Sequence, residues 1–460
     1  MNWKSTLHLV IVFITGFVFC SQIAVAQQAQ PTFNEHIAPI IFNNCTPCHH
    51  ENGTAPFALE TYKDVSKRAS FIKHVIETRY MPPWKADPHY RSFANEKTLT
   101  DEEINAIKNW VAQGAVKGKG KPKADLPEFK SGSQLSRTPD LVLKMREPFI
   151  IPGNNEQTYI CYKIPFELEE EKFVQGVEFV PGNKKLVHHA SYQVLGVADD
   201  VDIYNSKDYF VFGDDDYIDD QHDYRFFNLY TESGTAPKEM FHNGWLPGNS
   251  PQQYPEGVGF KMPKRGIFMI RNLHYAPSPV EAEDQSEIRI YFTDKPVSRT
   301  IQFITFQPTG LDYSKENIIP ADTVVKYEMN IKVGQTLSLI SINPHMHLLG
   351  KNFKAFALTP QKDTIPLVNI PDWDFQWQEF YQYKNLLKLP AGSVVHAEAI
   401  FDNTNNNPNN PSYPPKDTFF ERGMDDEDEM MRLTFLYLPY QSGDENKSLN
   451  KWKDDVSMGK

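Results

Sequence analysis

From about Pro139 onward, apolar residues come in short runs, alternating or continuous, that proline, glycine and asparagine keep interrupting. Phe173-Val174-Gln175-Gly176-Val177-Glu178-Phe179, Ile288-Arg289-Ile290-Tyr291-Phe292 and Thr434-Phe435-Leu436-Tyr437-Leu438 are typical. Runs of this length read as strands, and side chains that alternate along a strand bury one face of a sheet. The 40% hydrophobic content and 34 prolines in 460 residues suit a loop-rich β protein better than a helical bundle. Roughly 300 residues of this texture predict two all-β domains of jelly-roll or sandwich type. A break near Pro296 to Thr300 places them at 139–297 and 298–443, with a tail at 444–460.

The first part of the chain reads differently. Met1 to Ala26 has the form of an export signal: Lys4, an apolar run from Leu7 to Phe19, and Ala24-Val25-Ala26 as the small-residue cleavage site. The run is shorter than the ~20 residues a membrane span needs. Phe19 before Cys20 is too large for a lipoprotein site, so a periplasmic or secreted protein without an integral membrane segment is expected. The formal charge of −12 becomes −13 once Lys4 is removed, which argues against nucleic acid as a partner. Export permits disulfides, yet only Cys45, Cys48 and Cys161 remain after cleavage, so the fold is disulfide-poor and Cys161 is expected as a buried thiol.

Cys45-Thr46-Pro47-Cys48-His49 is the CxxCH pattern of covalent heme c attachment, with His49 as one axial ligand. A redox CxxC is the competing interpretation, but the βαβ surroundings of such motifs are lacking. A small all-α cytochrome c domain is therefore expected over 31–116. Thr32-x-x-Glu35 and Thr100-x-x-Glu103 read as capping boxes, and Pro39 must bend or end the first helix. Val65, Ala69, Ile72 and Ile76 fall at helical spacing. Met81, before Pro82-Pro83-Trp84, is the candidate sixth ligand, with His74 and His89 as rivals. Residues 117–138, rich in Lys, Gly, Pro and Ser, read as a flexible linker. Asp199–Asp223 is acidic and aromatic and is expected as an exposed insertion; Asn403–Pro415 reads as a turn-laden loop.

Two further clusters point to metals. His345 and His347 in Pro344-His345-Met346-His347-Leu348-Leu349-Gly350 stand two apart at the end of an apolar run. On a strand such side chains leave one face, with Cα atoms roughly 6.6 Å apart. Met430, or its neighbour Met431, can join them from just before the strand Leu433–Leu438. Two imidazoles and a thioether favour copper cycling through Cu(I) over zinc, calcium or magnesium, and leave a position open. His188 and His189 are adjacent, so both can reach one ion only if the strand bulges. With His274, in Leu273-His274-Tyr275, they form a trio suited to copper or zinc.

Taken in order, Leu186-Val187-His188-His189, Gly244-Trp245-Leu246-Pro247-Gly248, Leu273-His274-Tyr275, Pro344 to Gly350 and Asp428-Glu429-Met430 resemble the copper type II, ascorbate-dependent monooxygenases. That family includes the peptidylglycine α-hydroxylating and dopamine β-monooxygenases. Ile370-Pro371-Asp372-Trp373-Asp374-Phe375 and Phe401-Asp402-Asn403 are similar to segments of bacterial relatives, some carrying cytochrome modules. The resemblance implies that His188, His189 and His274 hold an electron-storing copper. It implies that His345, His347 and Met430 hold the copper that reacts with O2, with Met430 preferred to Met431 because it directly follows Asp-Glu. Amidating members place an arginine and a tyrosine where this chain has Asn343 and Thr434, so peptide amidation is not expected.

The expectation is an exported dicopper monooxygenase with one covalent heme c, catalytic residues His345, His347 and Met430, and cofactor-binding residues Cys45, Cys48, His49 and Met81. Its partners would be O2, a small-molecule or peptide-like organic substrate, and an external donor, either ascorbate or a redox protein. The flexible linker would let the heme visit the His188/His189/His274 copper. Two alternatives predict other behaviour: a non-catalytic heme and copper electron-transfer or copper-binding protein, and a zinc hydrolase.

Overall fold

The alternating runs fold as antiparallel strands. The computed structural model describes residues 30–129, 134–135, 137–204, 207–213, 222–308, 318–420 and 428–449. The predicted export signal lies outside them, as does the end of the expected tail. In the first half, a five-stranded sheet runs in the order Tyr209–Val211, Thr158–Glu167, Arg265–Tyr275, Val187–Gly196, Lys238–Trp245. It accompanies a six-stranded sheet that includes Leu141–Lys144, Glu287–Phe292 and Lys172–Val180. In the second half, one four-stranded sheet orders Gln302–Phe306, Arg432–Pro439, Leu337–His345 and Tyr381–Leu389. The other orders Thr323–Lys332, Val394–Asn403, Gly350–Leu358 and Thr364–Ile370.

The expected fold class, a small all-α cytochrome c domain followed by two all-β jelly-roll or sandwich domains, is corrected by this architecture. The described chain is mostly strand, and the helices do not form a separate all-α domain. Helical segments Ala38–Asn44, Tyr62–Ser66, Ala69–Glu77 and Asp101–Ala112 do gather a small cluster around Phe33, Ile41, Ile107 and Trp110. Residues between them, however, enter the β core. Trp84 and Phe93 pack on Tyr381, Phe93 bridges to Tyr383, and the Ala94 N–H donates to the Gln382 carbonyl at 2.7 Å. One hydrophobic cluster takes in Trp84, Phe93, Phe268, Ile290, Ile342, Phe401 and Leu449, so the core is also continuous across the expected division of the β region. A proline-flanked aromatic stretch reads as loop in sequence; here its aromatics are buried against a partner 290 residues away, which local pattern cannot show.

Other expectations fare unevenly. Thr100 and Glu103 form the predicted capping box. Thr32 caps nothing with its side chain; Glu35 turns to Lys123 at 2.6 Å, and the Thr32 N–H donates to His36 Nδ1 at 3.2 Å instead. Pro39 lies just where the π-helical turn Phe33–Ile37 gives way to the α-helix Ala38–Asn44, so the helix changes its winding there and neither ends nor breaks. The start of the expected linker is held along the helices, with the Asn34 N–H donating to the Lys117 carbonyl and the Lys123 N–H to the Asn34 carbonyl. Cys161 is a buried free thiol. The acidic stretch is not simply an exposed insertion. Val201, Ile203 and Phe210 are buried with Cys161, and buried Asp223 pairs with Arg271 at 3.1 Å; residues 205–206 and 214–221 lie outside the described residues. Among the described residues, no helix is long and apolar enough to cross a membrane.

Candidate metal centre

Strand register brings the first trio together. His274 lies opposite His189, while Tyr275 pairs with Val187, so His188 is the extra residue of a bulge between them. The bulge turns two sequence neighbours toward one point. His188 Nδ1 lies 3.4 Å from His189 Nδ1, which is 3.3 Å from His274 Nδ1, and all three fall within 4.8 Å. Two nitrogens bound to one ion at 2.0–2.1 Å in tetrahedral geometry stand about 3.3 Å apart. Burial lowers the pKa of all three, His189 to about 3. The rings are therefore neutral, the metal-ligating form. With Nδ1 turned to the common point, Nε2 of His189 and of His274 carries the proton and is buried without a hydrogen-bond partner in the protein. Tyr159 stacks on His274 at 4.2 Å, and Trp377 lies 5.2 Å from His188.

The second set differs from the expected strand-face pair. His345 ends the strand Leu337–His345, but His347 lies beyond it, ahead of the strand Gly350–Leu358. Their rings still meet at 5.1 Å and 85°. Glu429 makes this possible. Its buried carboxylate accepts from the backbone N–H groups of His347 and Met430, both at 2.9 Å, and of Leu349 at 2.6 Å, so the Asp-Glu-Met segment and the HxH turn are pinned to one side chain. Burial pushes the Glu429 carboxyl up to about 8 against the pull of those donors.

Each ring is oriented by its Nδ1. Gln378 Nε2 donates to the Phe375 carbonyl at 2.8 Å, which aims its Oε1 at His345; Nδ1–H of His345 donates to it at 2.5 Å. His347 Nδ1–H donates to the Asp428 carbonyl at 2.9 Å. Both lone pairs then reside on Nε2, the arrangement in which a hydrogen bond on one nitrogen prepares the other as ligand. Burial holds the His345 pKa well below normal. Met430 and Met431 are both buried, but only Met431 belongs to the large apolar core. Met430 instead lines a cavity of about 310 Å³ together with His345 and His189. That cavity also exposes Asn343 and Thr434.

At the CxxCH motif, His49 Nδ1–H donates to the Phe57 carbonyl at 2.9 Å, and burial lowers its pKa, as suits an axial ligand through Nε2. Burial pushes the Cys45 thiol up to about 12 and raises that of Cys48, the opposite of a redox-active CxxC. Cys48 opens on a second cavity, of about 340 Å³, bounded by Pro82 and Pro83 on one side and by Trp245 and Gly248 on the other. Sites for small molecules and cofactors begin at about 300 Å³. Met81 packs on the same apolar cluster as Cys45 and Phe57, whereas His74 and His89 line a different cavity. Cys45, Cys48 and His49 fit the attachment chemistry of a covalent heme; of the four candidate heme residues Cys48 lines this cavity, and Met81, unlike His74 and His89, packs on the cluster that Cys45 joins.

Sequence reasoning found the ligand candidates and missed their supports. Gln378, Tyr159 and Trp377 carry no motif of their own, and Glu429 was visible only as part of Asp-Glu-Met. No family model and no curated protein matches the chain. Among solved structures, the VP2 subviral particle of infectious bursal disease virus is similar at a TM-score of 0.16 and 8% identity, over 70% of this chain and 76% of that one. A structure of the Gt strain of the same virus gives 0.14 and 8%, over 68% and 81%. Scores of this size carry no argument about fold or function.

Proposed function

We propose that the protein is an exported, copper-dependent monooxygenase that hydroxylates a C–H bond of a small-molecule or peptide-like substrate, with electrons delivered through a covalent c-type heme. Substrate-H, O2, two electrons and two protons would give alcohol and water. The observation that carries this proposal is one cavity lined at once by His189 of the first trio and by His345 and Met430 of the second set. Two separate three-ligand groups, one of them containing a thioether, suit copper better than zinc. When bound, copper supplies the reversible one-electron chemistry that hydroxylation by O2 requires.

The chain's own residues would hold that chemistry in place. Gln378 and the Asp428 carbonyl fix the two Nδ1 atoms, Glu429 holds the HxH turn against Met430, and burial keeps the imidazoles neutral. Apolar walls from Phe212, Trp245, Leu246 and Phe380 would exclude water from a substrate lodged between the sites. Asn343 donates to the Glu379 carbonyl at 3.0 Å, and Thr434 shares a 2.8 Å hydrogen bond with Thr305. Both side chains are thus committed within the protein at the positions where amidating enzymes grip a carboxylate, which supports a reaction other than peptide amidation.

The test is anaerobic loading with copper, reduction by ascorbate, and measurement of O2 consumption on exposure to air. Met430→Ala should abolish consumption while leaving the heme absorbance bands unchanged. A fully active Met430→Ala protein would overturn the proposal, and reversible heme and copper reduction with no O2 consumption would favour an electron carrier.

A further inference from the structure

The segment Trp373 to Phe380 touches histidines of both proposed metal sites. Trp373 donates to the His347 carbonyl at 3.2 Å, Phe375 lies 5.7 Å from the His347 ring, Trp377 lies beside His188, and Gln378 holds His345. The same segment binds the heme-attachment side of the chain at both ends. Lys85 pairs with Asp374 at 3.1 Å, and Lys97 pairs with the buried Glu379 at 3.0 Å. Glu379 also accepts from Asn249 at 3.0 Å and Asn95 at 3.2 Å. Between those ion pairs, the Asp87 N–H donates to the Asn369 carbonyl at 2.8 Å, and Gln382 donates its N–H to Asn95 Oδ1 at 2.9 Å.

This clasp fixes where the two cavities meet. The Cys48 cavity and the cavity holding His189, His345 and Met430 share three wall residues, Gly244, Trp245 and Phe380. The contact is close: a Cβ on Gly244 would stand 2.9 Å from Phe380 Cε2 and 3.1 Å from the Ala190 carbonyl oxygen. On the other side, a Cβ on Gly248 would stand 2.8 Å from Cys48 Sγ. The backbone of 244–248 therefore packs directly between the heme-attaching cysteine and the histidine-lined cavity.

We infer that the wall of Gly244, Trp245 and Phe380, held shut by the Lys97–Glu379 pair, is a fixed electron-entry junction between the heme and the metal sites. The inference rests on the proposed function and replaces the expectation that a flexible linker carries the heme back and forth. The transfer is one electron from ferrous heme to a cupric site, giving ferric heme and a cuprous site. No bond breaks and no proton moves, and an external one-electron donor restores the heme.

The experiment uses the full chain loaded with heme and copper, without O2. A flash-generated reductant reduces the heme, and its reoxidation is followed by absorbance. Reoxidation should be first order, independent of protein concentration, and unchanged as glycerol raises the viscosity several-fold. Lys97→Glu should slow it at least tenfold and make it viscosity-dependent, with heme spectrum and copper content unaltered. A viscosity-dependent rate in the unaltered protein overturns the fixed junction, as does an unchanged rate in folded, loaded Lys97→Glu. If that variant does not fold, the viscosity measurement on the unaltered protein decides alone. No reoxidation at all in the unaltered protein, with both groups bound, would instead defeat the proposed function.

Discussion

Replacing Gln378 by leucine removes its two side-chain hydrogen bonds and leaves the metal-site side chains in place. The amide oxygen of Gln378 accepts from His345 Nδ1–H at 2.5 Å, and the bond from its Nε2 to the Phe375 carbonyl is what points that oxygen inward. Leucine is close in volume, so the packing loss is small and the effect falls on the orientation and tautomer of His345. Loss of such a supporting bond lowers metal affinity about 10- to 100-fold, or about 1.4 to 2.8 kcal/mol. Chelator competition should show this weakening for one of two copper ions, with the paramagnetic spectrum of that ion altered. Gln378→Glu keeps an acceptor for His345 but loses the donor to the Phe375 carbonyl, and should bind more tightly than Gln378→Leu and less tightly than the unaltered protein. Equal loss at both sites, or none at either, would refute the account of how His345 is held.

Four more predictions follow from the same structure. Met430→Ala should lose one copper with little change in thermal stability, whereas Met431→Ala, in the apolar core, should cost about 2–5 kcal/mol in denaturant unfolding and keep both ions. Asp444 is buried, and burial pushes its carboxyl up; hydrogen bonds from Arg299, at 2.9 and 2.7 Å, and from Ser338 outweigh this and hold it well below the usual carboxylate range. Its contribution is therefore present above the unfolded carboxyl pKa of about 3.9 and lost as pH falls below it. Arg299→Ala should destabilise by about 3–5 kcal/mol at neutral pH. Lys163 is fully buried, and burial lowers its pKa to about 8, so the folded state binds fewer protons than the unfolded one between about 8 and the unfolded lysine value of about 10.4. Thermal stability should rise with pH across that window, and Lys163→Met should flatten the rise. Gly248 holds φ at +81°, so Gly248→Ala adds about 1–2 kcal/mol of left-handed strain and a methyl against Cys48 Sγ. Heme incorporated per chain should fall.

What could be recognised in sequence was what local spacing encodes. The capping box at Thr100, the CxxCH motif, and the bulge that adjacent His188 and His189 would require all follow from rules spanning a few residues, and the structure contains each. Long-range partners were beyond such rules. Glu35 had a plausible local role and took Lys123 instead, 88 residues away. Lys97 and Glu379 are 282 residues apart, and neither stands in a recognisable pattern. For the same reason Trp84 and Phe93 read as parts of a helical unit and its loops, while their burial against Tyr381 and Tyr383 joins that stretch to the β core. The HxH pair was found for a reason only half correct. His345 and His347 do not share a strand face; a glutamate next to the methionine pulls the chain after His345 into a turn that brings the rings together.

The central claim is that six side chains form two copper sites facing one cavity, and metal analysis of the purified, heme- and copper-loaded protein tests it most directly. It predicts two copper ions and one heme per unaltered chain, and one copper with one heme in each of His274→Ala and His345→Ala. Zinc taken up in preference to copper, or either variant retaining both copper ions, would contradict it.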